Sequence, residues 1–563
     1  MNQRKPLLIG QSDFRAFREY GSYYVDKSLF IQEVIESAMQ VLLLPRPRRF
    51  GKTMNLSMLH YFFERHASSP TQRPNSNLFT GLAICETPLF EQHHGRYPVI
   101  YLTFKDQKEL SWPALFYRLT NLIRAEFVRH EYLLQANILA RSEKRYFEAI
   151  LEDKAKPGDY SDALHYLSAY LYRFYNERVV ILIDEYDTPI QAGYLDNYYE
   201  EVINFMRNFL SGGLKDNPYL FKGVLTGILR IAKESIFSSL NNLGVHTVLS
   251  TEFNTVFGFT EAEVKAMLDY YELGEQYDLV AQWYNGYLFG GEVIYNPWSV
   301  LNYVTSKDKQ FRPYWLNTGS MDLIEQLITR GGTELRVELE ILLDGQSITK
   351  PVHDNIVMRD LDKSDDLLWS FLLFSGYLKV VEQIEENIYH LQIPNQEVKQ
   401  IYRDLIRRWF TEKIKIPQLE AMLTALENGD IRLFERMLRL VVTEVMSYHD
   451  LSGSPEKVYQ ALVLGMLVWL SPRYDIRTNR ESGYGRYDMM FKPKSPNDAK
   501  RRGIVLEFKR VYEDEDPATI LDEALQQINH KAYTTELESA GVTEILRLAI
   551  VFRGKEMWLK QGN

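Results

Sequence analysis

Four short runs, Val41-Leu42-Leu43-Leu44, Val99-Ile100-Tyr101-Leu102, Val179-Val180-Ile181-Leu182-Ile183 and Gly223-Val224-Leu225-Thr226, are nearly continuous in apolar residues, and amphipathic helical patterns separate them. A strand that is apolar on both faces must be buried on both faces. Residues 1–260 are therefore expected to form an α/β domain, a parallel sheet with helices on either side. Ligands bind such sheets at the C-terminal ends of the strands, so the residues that follow each run carry the functional argument.

After the first run comes Pro45-Arg46-Pro47-Arg48-Arg49-Phe50-Gly51-Lys52-Thr53, and then a helical pattern from Met54 to Glu64. A strand, a loop ending Gly-Lys-Thr and a helix can hold a triphosphate. Backbone N–H groups and the helix N-terminus face the anion, Lys52 reaches the β and γ oxygens, and the Thr53 hydroxyl ligates Mg²⁺. Arg49, Phe50, Gly51, Lys52 and Thr53 are the candidate nucleotide-binding residues. One position departs from the GxxxxGK[ST] pattern, which asks for Gly where this chain has Arg46. Because Gly-Lys-Thr also begins helices that bind no ligand, a second element is needed.

The run Val179 to Ile183 supplies it by delivering Asp184 and Glu185 at a strand end. Asp184 would hold Mg²⁺ directly or through water, and Glu185 would polarise the attacking water. A solvated acidic turn is the plain alternative. Further on, Thr226 would sense the γ-phosphate or position water, and Arg230 would supply charge to the transition state. An arginine acting in trans would make the chain a homo-oligomer; one after a strand is as readily a salt-bridged surface residue. Tyr24-Val25-Asp26-Lys27 would line a base pocket, unless Asp26 simply caps a helix starting at Lys27.

At roughly 150 residues per domain, 563 residues suggest three or four domains, and no fixed-period repeat is visible. Residues 261–440 read as mostly helical. Residues 441–563 read as a small α/β domain, with a helix over 455–470, strands at 487–491 and 503–508, a helix over 518–533 and a strand at 546–552. The first of these strands carries Asp488 and the second carries Glu507-Phe508-Lys509. Period-2 alternation puts Glu507 and Lys509 on one face, with Val505 deeper in. Carboxylates on adjacent strands bind one or two divalent cations, and a neighbouring lysine orients or deprotonates the water that attacks a phosphodiester. Glu-x-Lys alone would be an ordinary charged hairpin face. Its surroundings matter: a preceding helix carries Glu456 and a following one carries Gln526 and Gln527.

The whole chain has a formal charge of −10, which argues against generic coating of nucleic acid. Between Ser471 and Arg510, however, eleven Lys or Arg stand against five Asp or Glu, a local excess of six that suits a polyanion. A lone Cys85 excludes an internal disulfide and points to an intracellular, cytoplasmic protein. The apolar stretch Leu7-Leu8-Ile9 is too short for a secretory signal, and the run 461–470 is about half the ~20 residues that span a bilayer, so no membrane segment is expected.

Taken together, Tyr24-Val25-Asp26-Lys27, the Arg46-to-Thr53 loop, Ile183-Asp184-Glu185-Tyr186-Asp187 and Leu225-Thr226-Gly227 resemble the AAA-ATPase-like family of bacterial proteins, whose loop reads RPRRFGKT. In that family the missing glycine is a shared trait. Trp283-Tyr284-Asn285-Gly286-Tyr287 and Tyr295-Asn296-Pro297-Trp298-Ser299 resemble it too, and turn and helix-cap chemistry is their favoured role. Residues 481–488, Glu507-Phe508-Lys509 and 524–528 resemble the PD-(D/E)XK nuclease superfamily domain that follows this ATPase.

The resemblance implies a P-loop AAA/RecA-like sheet, a helical middle and a restriction-endonuclease-like C-terminal domain. It makes Asp488, Glu507 and Lys509 catalytic, with Asp488 and Glu507 as metal ligands, and Gln527 supporting. The function expected is an ATPase coupled to a nuclease, using ATP and Mg²⁺, or Mn²⁺ at the nuclease site. Its partner would be nucleic acid, DNA ahead of RNA, and defence against phage or mobile DNA would be its setting. Two rival readings remain. One is a nucleotide-dependent switch whose C-terminal domain binds nucleic acid or protein without cutting; the other keeps the nuclease but makes the ATPase a sensor that binds without hydrolysis.

Overall fold

A computed structural model gives the fold. It describes residues 4–66, 75–230, 237, 240–315, 333–354, 356, 358, 361, 365–413, 416–446, 465, 466, 468–481, 486–495, 502–512, 514–530, 533–553 and 556–562. Glu456, Arg501 and residues 482–485 lie outside the described residues, and for Asp488 the description is of the backbone. The chain divides into two compact units, 1–327 with 349–398, and 328–348 with 399–563.

In the first unit, β1 (Val41–Pro45), β2 (Val99–Thr103), β3 (Val179–Asp184), β4 (Leu220–Gly227) and β5 (Leu243–Val245) form one sheet in the order β2-β3-β4-β1-β5. All its pairs are parallel. Every residue of β1 and β3 is buried, as continuous apolar runs require. The parallel α/β sheet read from the sequence is therefore present. Helix α1 (Lys52–Phe63) follows the loop after β1, and α2 (Ala163–Tyr175) packs on α3 (Tyr199–Leu214). Their approach is close enough that a Cβ on Gly213 would sit 2.8 Å from the Leu164 side chain, so only glycine fits there.

Two small sheets complete the unit. One joins β6 (Phe259–Thr260), β7 (Tyr287–Phe289) and β8 (Glu292–Tyr295), and the other β9 (Ile348–Pro351), β10 (Lys379–Glu385) and β11 (Ile388–Gln392). Helix α4 (Pro297–Thr305) starts at Asn296, whose side chain accepts from the Trp298 and Ser299 N–H groups. That is the cap chemistry expected of this segment.

The second unit is built on α5 (Gln396–Lys413), whose first turn belongs to the first unit, and on a five-stranded mixed sheet. Its strands β12 (Tyr474–Glu481), β13 (Arg486–Pro493), β14 (Gly503–Arg510), β15 (Ile545–Arg553) and β16 (Glu556–Gln561) lie in sequence order. Only β14 and β15 run parallel, joined by a crossover that contains α6 (Pro517–His530). Among the described residues no helix is long and apolar enough to cross a membrane.

Candidate functional site

The loop between β1 and α1 bends through two left-handed residues, Arg49 (φ 68°) and Gly51 (φ 86°). Glycine takes that conformation freely and arginine does not, so strain is concentrated at this turn. Arg46, at the place of the missing glycine, does not face a ligand at all. It is fully buried. Its guanidinium donates to the carbonyls of Pro45 (2.8 Å), His246 (2.6 Å) and Phe253 (2.8 Å), and lies over the rings of Phe257 and Phe289. Arginine thus ties the loop to the 246–257 segment.

The Lys52 ammonium is buried and donates to the carbonyls of Arg46 (2.9 Å) and Pro47 (3.0 Å). Burial holds its pKa below the usual lysine value, against the raising effect of Glu185, Asp184 and Asp187. Thr53 Oγ1 donates to Asp184 Oδ2 at 2.7 Å, so the loop hydroxyl and the acid ending β3 stand side by side. A carboxylate and a hydroxyl make a hard oxygen donor pair of the kind Mg²⁺ takes.

Glu185 also has a left-handed backbone (φ 52°). Burial raises its pKa, Lys52 opposes this, and Asp184 adds to it. Thr226 is buried and donates to Asp184 Oδ1 at 2.6 Å, so it orients that acid. Arg230 is in an ion pair with Asp354 at 2.8 Å and is not on the pocket wall. The Phe50 ring is buried against Tyr287 and Phe289, leaving its backbone to face a ligand.

These residues open on a cleft of about 390 Å³. Arg48 to Asn55, Glu185 and Thr188 form part of its wall, while Tyr23, Tyr24, Val25, Phe259, Trp298 and Leu301 form an apolar, aromatic part. The first set suits phosphates and the second a base. Asp26 is not a helix cap: the helix starts at Leu29 with Ser28 before it, and Asp26 accepts from the N–H groups of Ser28 and Ala83. Lys27 bonds Glu263 and the Thr255 carbonyl, each at 2.7 Å.

By its sequence Trp298 has only a turn or cap role. In the fold its ring lies 4.2 Å from the Arg49 guanidinium, a cation–π contact that fixes a loop side chain. Asp187, also given no role, accepts from the N–H groups of Ile228 (2.9 Å) and Leu229 (3.1 Å) and so holds the end of β4. Contacts that span 41 and 42 residues for Asp187, and far more for Trp298, leave no local signal; the short Asp-Glu-Tyr-Asp spacing is the only hint.

In the second unit, Glu507 and Lys509 are 1% and 4% exposed on β14. Asp488 stands directly opposite Glu507 in the β13–β14 register. Cross-strand partners share a face of a sheet, so the backbone register puts position 488 and Glu507 on the same face. Their face is covered by α6, where Leu521, Ala524 and Ile528 are buried and Gln526 is exposed. Gln527 is partly buried beside them, and its Oε1 has no hydrogen-bond partner among the described residues. Glu523, not singled out in the sequence, approaches Lys509 to 3.9 Å. The buried Glu507 carboxylate and the Gln527 amide oxygen are oxygen donors of the kind a hard divalent cation takes, while the Lys509 ammonium beside them is no ligand and suits a water or an anion. Among the described residues no group of three or more His, Cys, Asp or Glu forms a metal cluster.

The parallel sheet with its Gly-Lys-Thr loop and Asp-Glu strand end places the first unit in the P-loop class, and the mixed sheet of the second has the restriction-endonuclease-like layout. A family model described as Predicted AAA-ATPase matches residues 8–237, and the model of the PD-(D/E)XK nuclease superfamily matches residues 454–562. Residues 8–237 are thus similar to the one family and residues 454–562 to the other, the arrangement of segments that the motifs imply. Over 559 residues it is 26% identical to "Uncharacterized protein in vnfD 5'region" of Azotobacter chroococcum mcd 1, covering 96% of this chain and 95% of that one. No solved structure matches the chain.

Proposed function

We propose that this chain is an ATP-dependent or ATP-regulated nuclease that cleaves nucleic-acid phosphodiester bonds, DNA in preference to RNA. The observation that carries the ATP reading is the convergence of Lys52, Thr53 and Glu185 on one cleft that is aromatic elsewhere on its wall. Lys52 would exchange its two carbonyl bonds for phosphate oxygens. Glu185, made more basic by burial, would take the proton of the attacking water. Mg²⁺ held by Thr53 and Asp184 would neutralise phosphate charge. At the second site Asp488 and Glu507 would hold Mg²⁺ or Mn²⁺, Lys509 would orient the attacking water, and Gln527 would position it. Defence against phage or mobile DNA is a use such chemistry serves.

The test incubates the purified chain with labelled DNA or RNA, Mg²⁺ or Mn²⁺, and ATP, beside Lys52→Ala, Asp488→Ala and Glu507→Gln. Cutting should vanish in Asp488→Ala and Glu507→Gln and fall sharply in Lys52→Ala. Undiminished cutting by either carboxylate variant overturns the nuclease site. Cutting that needs no ATP and survives Lys52→Ala overturns the coupling.

A further inference from the structure

The second unit holds another cavity, of about 450 Å³, lined wholly by its own residues. Four cations reach it: Lys399 and Arg403 of α5, Arg477 of β12, and Lys494 just past β13. Two of them are matched by acids, Arg477 by Glu536 at 2.8 Å and Lys494 by Asp475 at 3.8 Å. Lys399 and Arg403 are four residues apart and so share one helix face. Both are partly buried, and neither makes an ion pair or hydrogen bond among the described residues. Burial and the neighbouring Arg403 and Lys494 hold Lys399 below its usual pKa, against Asp344. Burial and Arg407 do the same to Arg403, against Asp404. Asp344, the other acid on the wall, accepts from Gln346 at 3.0 Å, and burial raises its pKa, which makes it a poor counter-ion.

Two adjacent, partly desolvated cations without an anion are an energetic cost that an oxyanion with several acceptor atoms would remove. We infer that this cavity seats backbone phosphates of the nucleic-acid substrate, gripped by Lys399 and Arg403 with Arg477 and Lys494 at the rim. The assignment of a strand as the phosphate source rests on the proposed nuclease function. Lys494 is six residues along the chain from Asp488, roughly 20 Å at strand rise. The cavity is thus an anchor remote from the cutting edge, about six nucleotides away at 3.4 Å per step.

The experiment measures binding of a fluorescent 20-nucleotide strand (about three times that reach) to the full chain in EDTA across a salt series. The variants are Lys399→Gln/Arg403→Gln, Lys399→Arg and Glu507→Gln, and inorganic pyrophosphate serves as competitor. The double variant should lose about tenfold or more in affinity at low salt, and its log–log salt slope should shrink by about 1.4, at 0.7 per lost phosphate contact. Lys399→Arg should retain binding. The double variant, relieved of its like-charge pair, should melt no lower than the parent, which separates lost binding from unfolding. Unchanged affinity and slope in the double variant overturn the site. Pyrophosphate bound through Lys399 and Arg403 while the strand binds unaffected overturns the strand assignment. Strand binding that depends on Lys399 and Arg403, with no cutting in Mg²⁺ or Mn²⁺, would sink the nuclease reading and leave the anchor standing. Cutting by the double variant at unchanged KM would do the reverse.

Discussion

Replacing Arg46 by glycine restores the GxxxxGKT pattern, and we expect it to wreck the loop. The guanidinium satisfies three carbonyls, those of Pro45, His246 and Phe253, from a fully buried position. A hydrogen bond to a charged group contributes about 1.5–3 kcal/mol, and a buried carbonyl left without a donor costs about 1–3 kcal/mol. Part of this is offset, because removing a buried charge also removes its desolvation penalty. The net loss should be about 3–5 kcal/mol, the range for removing one partner from a buried charged pair. With a urea m-value of about 1–3 kcal/mol per molar, the midpoint of the first unit should fall by about 1 M or more. The assay is urea unfolding followed by tryptophan fluorescence, with ATP binding by calorimetry. Arg46→Met, which refills volume but makes none of the three bonds, should be nearly as unstable as Arg46→Gly. If Arg46→Gly unfolds at the parent midpoint and binds ATP as well or better, the structural role argued for Arg46 is wrong.

Glu185→Gln should leave ATP affinity nearly intact and lower turnover by about 10²–10⁴-fold, the usual share of a general base. Because burial raises the Glu185 pKa, the acid limb of the ATPase pH profile should lie above the ordinary carboxylate value, and phosphate release that survives in the variant would remove Glu185 from the mechanism. Trp298→Ala frees the Arg49 guanidinium from a contact worth about 0.5–2 kcal/mol, so ATP should bind about two- to thirtyfold more weakly by calorimetry. Glu397 is buried, takes hydrogen bonds from Ser299 Oγ and the Trp315 N–H, and has its pKa raised by burial to about 8. Between its unfolded value and about 8 the folded state holds the extra proton, so this group's contribution is full at low pH and is lost as pH rises through about 8. Denaturant unfolding across pH 5 to 8 should show a downward trend on the order of a few kcal/mol that Glu397→Gln flattens.

Where a structural decision is made within a few consecutive residues, the chain announces it. The five-residue run ahead of Asp184 and the loop ending at Thr53 were legible for that reason, and so was the pairing of Glu507 with Lys509 on one strand. The charge count over 471–510 was legible only in part. Four of its cations, Arg473, Arg477, Arg502 and Lys509, are paired with Glu427, Glu536, Glu544 and Glu523, acids that lie outside the counted stretch. A count along the chain cannot include partners that the fold brings in from elsewhere.

Local pattern is enough to read the parallel sheet, the loop and acid pair at its C-terminal edge, and a second α/β domain carrying Asp488, Glu507 and Lys509. These follow from apolar periodicity and from chemistry spaced a few residues apart, which act locally. The tertiary structure alone decided what Arg46 does, since its carbonyl partners at His246 and Phe253 lie some two hundred residues away. It alone drew Arg230 to Asp354, set Trp298 over Arg49, and gathered Lys399 and Arg403 with Arg477 and Lys494 around one cavity. Such partners meet only when the chain closes long loops, and the energy that holds them there comes from burial, which no local pattern records.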